Sequence, residues 1–281
     1  MDVNVGMQKI ELYGLLLCLS IPLFLGSMLP AYNASASIEN KTLMQPQVKH
    51  DMKSNTTNII LVHGAWADGS SWNKVIPILK NSGHNIIAVQ LPLGSLQEDV
   101  DTVKRAINQI DGPVILVAHS YGGYVITNAA YNNPNVTGLV YIAAFAPDEG
   151  ENSTNFVDVS KLPPGLLNVD SGGFVYINQT QFHDAFVQDI DPSEASTMAV
   201  TQKPINQSIF VEPSGPPAWK QLPTWFQISE NDRIIPPKFE HQFAERMNAT
   251  TISLNSSHAS LVSHPNEVAQ LILDAVKGTT K

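Results

Sequence analysis

The chain has 281 residues, 43% of them hydrophobic and 15% charged, and a formal net charge of −9; its pI is about 5.3. That size and apolar content fit one globular α/β domain with a substantial core. The acidic balance leaves no basic stripe for phosphates to meet, so nucleic acid is excluded as a partner class and the charge serves solubility.

The first element in chain order is the apolar run 12–29, preceded by Lys9 and followed by Ala34-Ser35-Ala36, an A-x-A-like cleavage site. Residues 1–36 are therefore expected to be a secretory signal peptide or, since the run just reaches spanning length, an uncleaved membrane anchor. Either predicts an exported protein, extracellular, periplasmic or held at the membrane facing outward. Cys18 is the only cysteine and lies inside this run, so the exported part carries no disulfide. Asn-x-Ser/Thr sequons such as Asn40, Asn55, Asn135, Asn152 and Asn255 are compatible with export. Residues 37–57 are polar and Asn/Thr-rich, as a linker would be.

Alternation begins at residue 58. The β-branched apolar runs 58–63, 85–91, 113–118 and 136–145 predict buried strands, and apolar spacing predicts helices over 71–81, 98–110 and 123–132. This order predicts right-handed βαβ units and a mostly parallel sheet with helices on both faces. From Pro147 to Leu222 the chain is rich in Pro, Gly, Asn and aromatics, with short helical pieces over 181–189 and 192–200. An insertion of that kind between two sheet strands is expected to form a lid. Strand 224–229, helix 237–247, strand 251–254 and helix 266–276 then complete the domain, 58–276.

Ala118-His119-Ser120-Tyr121-Gly122 follows the strand 113–118 directly and precedes a helix. Strand, tight turn and helix around a serine with small neighbours make a nucleophile elbow; Ala118 stands where glycine is usual. A serine hydroxyl needs an imidazole to take its proton and a carboxylate to orient that imidazole. His258, after the last strand, fits the base, and Asp232, after the strand 224–229, fits the acid. His264 and His119 are rivals for the base, Glu230, Asp148 and Glu149 for the acid. The oxyanion donors are expected from the backbone N–H groups of Tyr121, next after the serine, and of Ala65 in the loop His63-Gly64-Ala65-Trp66.

The elbow, the His63-Gly64-Ala65-Trp66 loop and the order Ser120, Asp232, His258 together resemble the α/β-hydrolase superfamily. Within it the chain is similar to the compact branch of plant methyl-ester esterases and hydroxynitrile lyases. The runs 61–72 (LVHGAWADGSSW) and 143–151 (AAFAPDEGE) resemble small bacterial hydrolases still more. The resemblance implies an α/β-hydrolase fold and serine hydrolase chemistry. Hydroxynitrile lyases of this branch carry a lysine after the catalytic histidine and a threonine after the first histidine of the oxyanion loop; Ala259 and Gly64 stand there instead.

The expected function is thus a carboxylesterase-like serine hydrolase that cleaves a small, largely apolar ester or lactone through an acyl-enzyme. Trp66, Phe174 and Trp219 are candidates for the substrate pocket, alongside the lid aromatics Tyr176, Phe182 and Phe186. No metal-ligand spacing or phosphate-binding glycine loop appears in the sequence, so no metal or cofactor is expected, and the partner is a small-molecule ester. A ligand-binding, receptor-like protein on a hydrolase scaffold is the alternative, with a hydroxynitrile lyase behind it.

Overall fold

The computed structural model describes residues 56–280. The leading segment 1–36, most of the expected linker and Cys18 lie outside the described residues. Within them, no helix is long and apolar enough to cross a membrane.

Strand β1 (Asn58–Val62) opens the domain. Where one helix is expected over 71–81, the chain forms a 3-10 turn, Gly69–Trp72, and then helix α1 (Ile76–Asn81). Pro77 explains the break: it has no N–H to bond backwards, so it sits in the first turn of a new helix. Strand β2 (Asn85–Ala88) and helix α2 (Leu96–Asn108) follow. The Ser95 hydroxyl caps α2 by accepting from the Glu98 N–H at 3.2 Å. Leu96, Val100, Val103 and Ile107 form its buried stripe.

Strand β3 (Val114–His119) runs into helix α3 (Gly122–Ala129), and β4 (Val136–Ile142) comes next. The lid then contributes β5 (Leu167–Val169), β6 (Phe174–Ile177), α4 (Gln179–Phe186), α5 (Pro192–Thr201) and β7 (Ile205–Asn206). The chain closes with β8 (Thr224–Ser229), α6 (Pro237–Arg246), β9 (Thr250–Leu254), the short α7 (Ser260–Ser263) and α8 (Pro265–Thr279).

The main sheet has the order β2-β1-β3-β4-β8-β9, and every neighbouring pair is parallel. Strands β3 and β8 are buried at every residue, which in a parallel sheet requires cover on both faces. This is the parallel, doubly covered sheet that the alternation predicts, and it agrees with the α/β-hydrolase fold that the resemblance implies. The lid carries a feature its sequence does not announce, a separate antiparallel sheet β5-β6-β7.

All main-sheet strands point the same way, so the loops after β1, β3, β8 and β9 emerge at one edge. Of the five positions given chemical roles above, Ala65, Ser120 and Tyr121 follow β1 or β3, and Asp232 and His258 follow β8 and β9. The fold thus gathers them before any side-chain contact is considered.

Candidate active site

Ser120 stands directly after β3 with φ of 55°, a left-handed conformation that a non-glycine residue holds only under constraint. The constraint is visible on both sides. The Ser120 N–H donates to the Ile142 carbonyl at 3.2 Å, and the Ser120 carbonyl accepts from Phe145 and Gly123. The turn leaves no room for side chains behind it. A Cβ on Gly122 would lie 2.8 Å from the His63 carbonyl oxygen, and one on Gly123 would lie 1.9 Å from that of Phe145.

His258 reaches this serine from the loop after β9. Its Nε2 lies 2.7 Å from Ser120 Oγ and its Nδ1 2.5 Å from Asp232 Oδ2. With Asp232 ionised, Nδ1 carries the proton and Nε2 is free to accept from the hydroxyl. The other Asp232 oxygen accepts the N–H groups of Ile234 and Ile235, at 2.6 and 2.8 Å. His258 is fully buried. Its ring packs against Phe186 of the lid, with centroids 4.9 Å apart, and against His119 at 4.8 Å.

Four of the five rivals are engaged elsewhere. His119 Nε2–H donates to the His258 carbonyl at 2.8 Å, and burial holds the ring's pKa well below the ordinary imidazole range. A neutral His119 therefore braces the His258 backbone without placing a cation beside it. His264 Nδ1 lies 2.8 Å from the Ser263 hydroxyl. Glu230 faces His241 at 3.2 Å and Asp148 pairs with Lys220 at 2.5 Å, both at the surface.

The loop after β1 runs against the serine so closely that a Cβ on Gly64 would lie 2.7 Å from Ser120 Cβ. His63 fixes this loop. Its Nε2 accepts the Leu91 N–H at 3.0 Å, so the proton is on Nδ1, which donates to the Gly64 carbonyl at 2.8 Å. Burial lowers the His63 pKa from 6.5 to about 4. Trp66 is also left-handed, with φ of 58°, and its indole N–H donates to the Val175 carbonyl of β6 at 3.0 Å.

A cavity of about 80 Å³ opens beside Ser120, enough for roughly half a dozen water-sized groups. Ala65, Trp66, Tyr121, Tyr124, Phe145 and Phe210 are among its walls, and no lining residue carries a charge. Ala65, Tyr121 and Trp66, all singled out in the sequence, line this cavity. Phe174 and Trp219 do not line the cavity. Phe174 shares a face of β6 with Tyr176, opposite the buried Val175 and Ile177. The Trp219 indole N–H donates to the Pro147 carbonyl at 2.8 Å, and the Arg246 guanidinium lies over its ring. It packs where the lid joins the sheet.

Two buried carboxyl groups escape a sequence reading. Asp99 of α2 accepts the Tyr121 hydroxyl at 2.7 Å and the Leu93 N–H at 2.9 Å, and burial raises its pKa to about 6. Glu240 of α6 accepts the Ser229 N–H at 2.9 Å. Each sits on the apolar stripe of its helix, and a lone acid on such a stripe was the available signal.

Residues 59–271 match the model of the alpha/beta hydrolase family. The chain is 25% identical over 247 residues to a pyrethroid hydrolase of Sphingobium wenxiniae, covering 78% of this chain and 87% of that one. It is 24% identical over 209 residues to methylesterase 2 of Arabidopsis thaliana, covering 63% and 79%. Among solved structures, an extracellular alpha/beta-hydrolase from a Paenibacillus species superposes with a TM-score of 0.69 at 21% identity, covering 78% of this chain and 98% of that one.

Proposed function

The chain belongs to the alpha/beta hydrolase family, and on that premise we propose that it is a serine carboxylesterase acting on small, uncharged esters or lactones through Ser120, His258 and Asp232. The observation that carries this reading is the unbroken hydrogen-bond chain from Asp232 through His258 to Ser120, ending at an uncharged cavity. Relatives named for pyrethroid hydrolysis and as methylesterases support ester cleavage as the reaction class.

In this mechanism Ser120 Oγ attacks the ester carbonyl as its proton passes to His258 Nε2. Asp232, held by two backbone N–H groups, stabilises the imidazolium. The tetrahedral oxyanion sits against the N–H groups of Ala65 and Tyr121, whose positions the Ser120 elbow and the His63-braced loop fix. Collapse breaks the C–O bond, and His258 returns the proton to the departing alkoxide. Water, deprotonated by His258, then releases the acid from the acyl-enzyme. A cavity without charged walls favours apolar ester groups, because a carboxylate or ammonium buried there would lose its hydration unpaired.

The test is labelling and turnover together. A serine-reactive phosphonate is expected to modify Ser120 alone, and Ser120→Ala is expected to cut turnover of p-nitrophenyl butyrate by several orders of magnitude. Labelling of another serine, or wild-type turnover by the variant, overturns the assignment. A receptor-like binding role requires no turnover in the wild type. Lyase chemistry lacks a lysine beside His258, where Ala259 stands. Mandelonitrile is accordingly expected to release cyanide more slowly than p-nitrophenyl butyrate is hydrolysed. Export of the mature domain, read from residues 1–36, is tested by finding the protein in the medium or on the outer face of the producing cell.

A further inference from the structure

Glu240 lies on α6, is completely buried, and shares Ser229 with Asp232, whose N–H donates to the Ser229 carbonyl at 3.1 Å. One of its oxygens, Oε2, accepts the Ser229 N–H at 2.9 Å. The other, Oε1, is buried with no hydrogen-bond partner, and Asp232 is the charged group that acts most strongly on Glu240. An ionised carboxylate offers about four lone-pair positions. Three of those on Asp232 are taken, by the N–H groups of Ile234 and Ile235 and by His258 Nδ1. Two facing carboxylates would repel, whereas a single proton between them makes a short, strong O–H···O⁻ bond.

We propose that Glu240 is a positioning residue of the Ser120-His258-Asp232 set: it stands as a neutral carboxylic acid and donates its proton to the fourth lone pair of Asp232. The inference rests on the catalytic reading of that set given above. Burial is the largest influence on the Glu240 proton, followed by the Asp232 charge and the hydrogen bond to it, and all three push its pKa well above the carboxylate range. The Ser229 N–H pulls the other way, and Glu230 adds a further push upward. His258 faces Asp232, and His241, next to Glu240 on α6, turns outward to Glu230. No cation among the groups acting on Glu240 favours its ionised form.

The bond has two consequences. It locks the Asp232 rotamer, which keeps Oδ2 aimed at His258. It also draws charge from Asp232, so its removal is expected to move the acid limb of kcat/KM upward.

Two variants and a spectrum test this. Glu240→Gln keeps a donor toward Asp232 and an acceptor for Ser229, so the acid limb of kcat/KM for p-nitrophenyl butyrate is expected to stay within about 0.3 pH units. Were Glu240 ionised, the same change would delete a negative charge beside Asp232, and the limb would fall by about one unit. Glu240→Leu removes the donor; the limb is expected to rise by about half a unit and kcat to fall roughly three- to tenfold. A fall of the limb in the Gln variant, or an unmoved limb and kcat in the Leu variant, overturns the proposal. If the Leu variant does not fold, infrared difference spectra of wild type against Glu240→Gln at neutral pH still decide. A protonated-carboxyl C=O band confined to the wild type is expected, and its absence refutes the neutral acid. That band needs no turnover, so it separates failure here from failure of the catalytic reading, which the phosphonate label at Ser120 reports by itself.

Discussion

Replacing His63 by glutamine offers the most searching test of how the oxyanion loop is held. In the folded protein the His63 ring must be neutral, because its Nε2 accepts the Leu91 N–H. Burial lowers its pKa from 6.5 to about 4. Between those values the unfolded chain binds the proton and the folded chain does not, so stability rises with pH across the window. The contribution is whole above about pH 7 and drains away as the pH falls toward 4. At about 1.4 kcal/mol per pH unit, the gap from 6.5 to about 4 is worth about 3 kcal/mol. Urea unfolding followed by tryptophan fluorescence at about pH 7 and about pH 4 measures the loss in each protein. The glutamine variant starts from a lower stability at neutral pH but is expected to lose about 3 kcal/mol less on acidification. His119, also held neutral by burial, titrates in both proteins and cancels in the comparison. Equal acid losses in wild type and variant would show that His63 does not hold the loop as a neutral acceptor.

Further outcomes follow from the same contacts. Gly123→Ala places a Cβ 1.9 Å from the Phe145 carbonyl oxygen, a backbone atom that cannot swing aside. A cost of at least about 3 kcal/mol is expected, read as a fall in Tm of roughly 6–12 °C; a wild-type Tm contradicts the tight elbow. Asp232→Asn is expected to lower kcat by about 10³-fold or more, since an amide favours the wrong imidazole tautomer. A mild Asp232→Asn beside a severe Asp148→Asn or Glu149→Gln would move the acid to the loop after β4. Asp99 has its pKa raised to about 6, so the folded state holds its proton more tightly than the unfolded chain. Its contribution is complete below about pH 4 and is lost as the pH rises through about 6, a loss that urea titrations are expected to find in wild type and not in Asp99→Asn.

The main sheet was legible because its central strands carry apolar, β-branched runs such as 59–62 and 114–117, with turn residues near their ends. The strand at 224–229 falls on the same residues in sequence and structure, and β3 is displaced by a single position. Prolines and short lengths account for what was not legible. Pro77 splits the helix expected at 71–81, and the lid strands, of two to four residues, are too brief for a period of two to register. Within the site, Ser120, His258 and Asp232 could be located because each follows a strand at the same sheet edge. Asp99 and Glu240 left a fainter mark, a lone acid on the apolar stripe of a helix, and nothing in the sequence names the buried partner of either. Phe174 and Trp219 show the same limit for aromatics. Composition signals an apolar lid, while only the pleat of β6 and the indole bond to Pro147 decide which rings miss the cavity.

The lid leaves the sheet after β4 and re-enters it at β8, and those two strands pair directly, Leu139 beside Thr224. Both ends of the excursion are therefore pinned at one seam, with Arg246 bonded to Glu151 and Ala146 close to where it departs. Loop closure grows only with the logarithm of length, about 0.6 kcal/mol for each doubling. The excursion is in this sense a cassette, which can be lengthened, shortened or exchanged while the hydrogen-bond ladder beneath it keeps its register. Transplanting the lid of another esterase between the ends of β4 and β8 would then change which acyl and alcohol groups are admitted, while Ser120, Asp232 and His258 keep their places on the sheet edge.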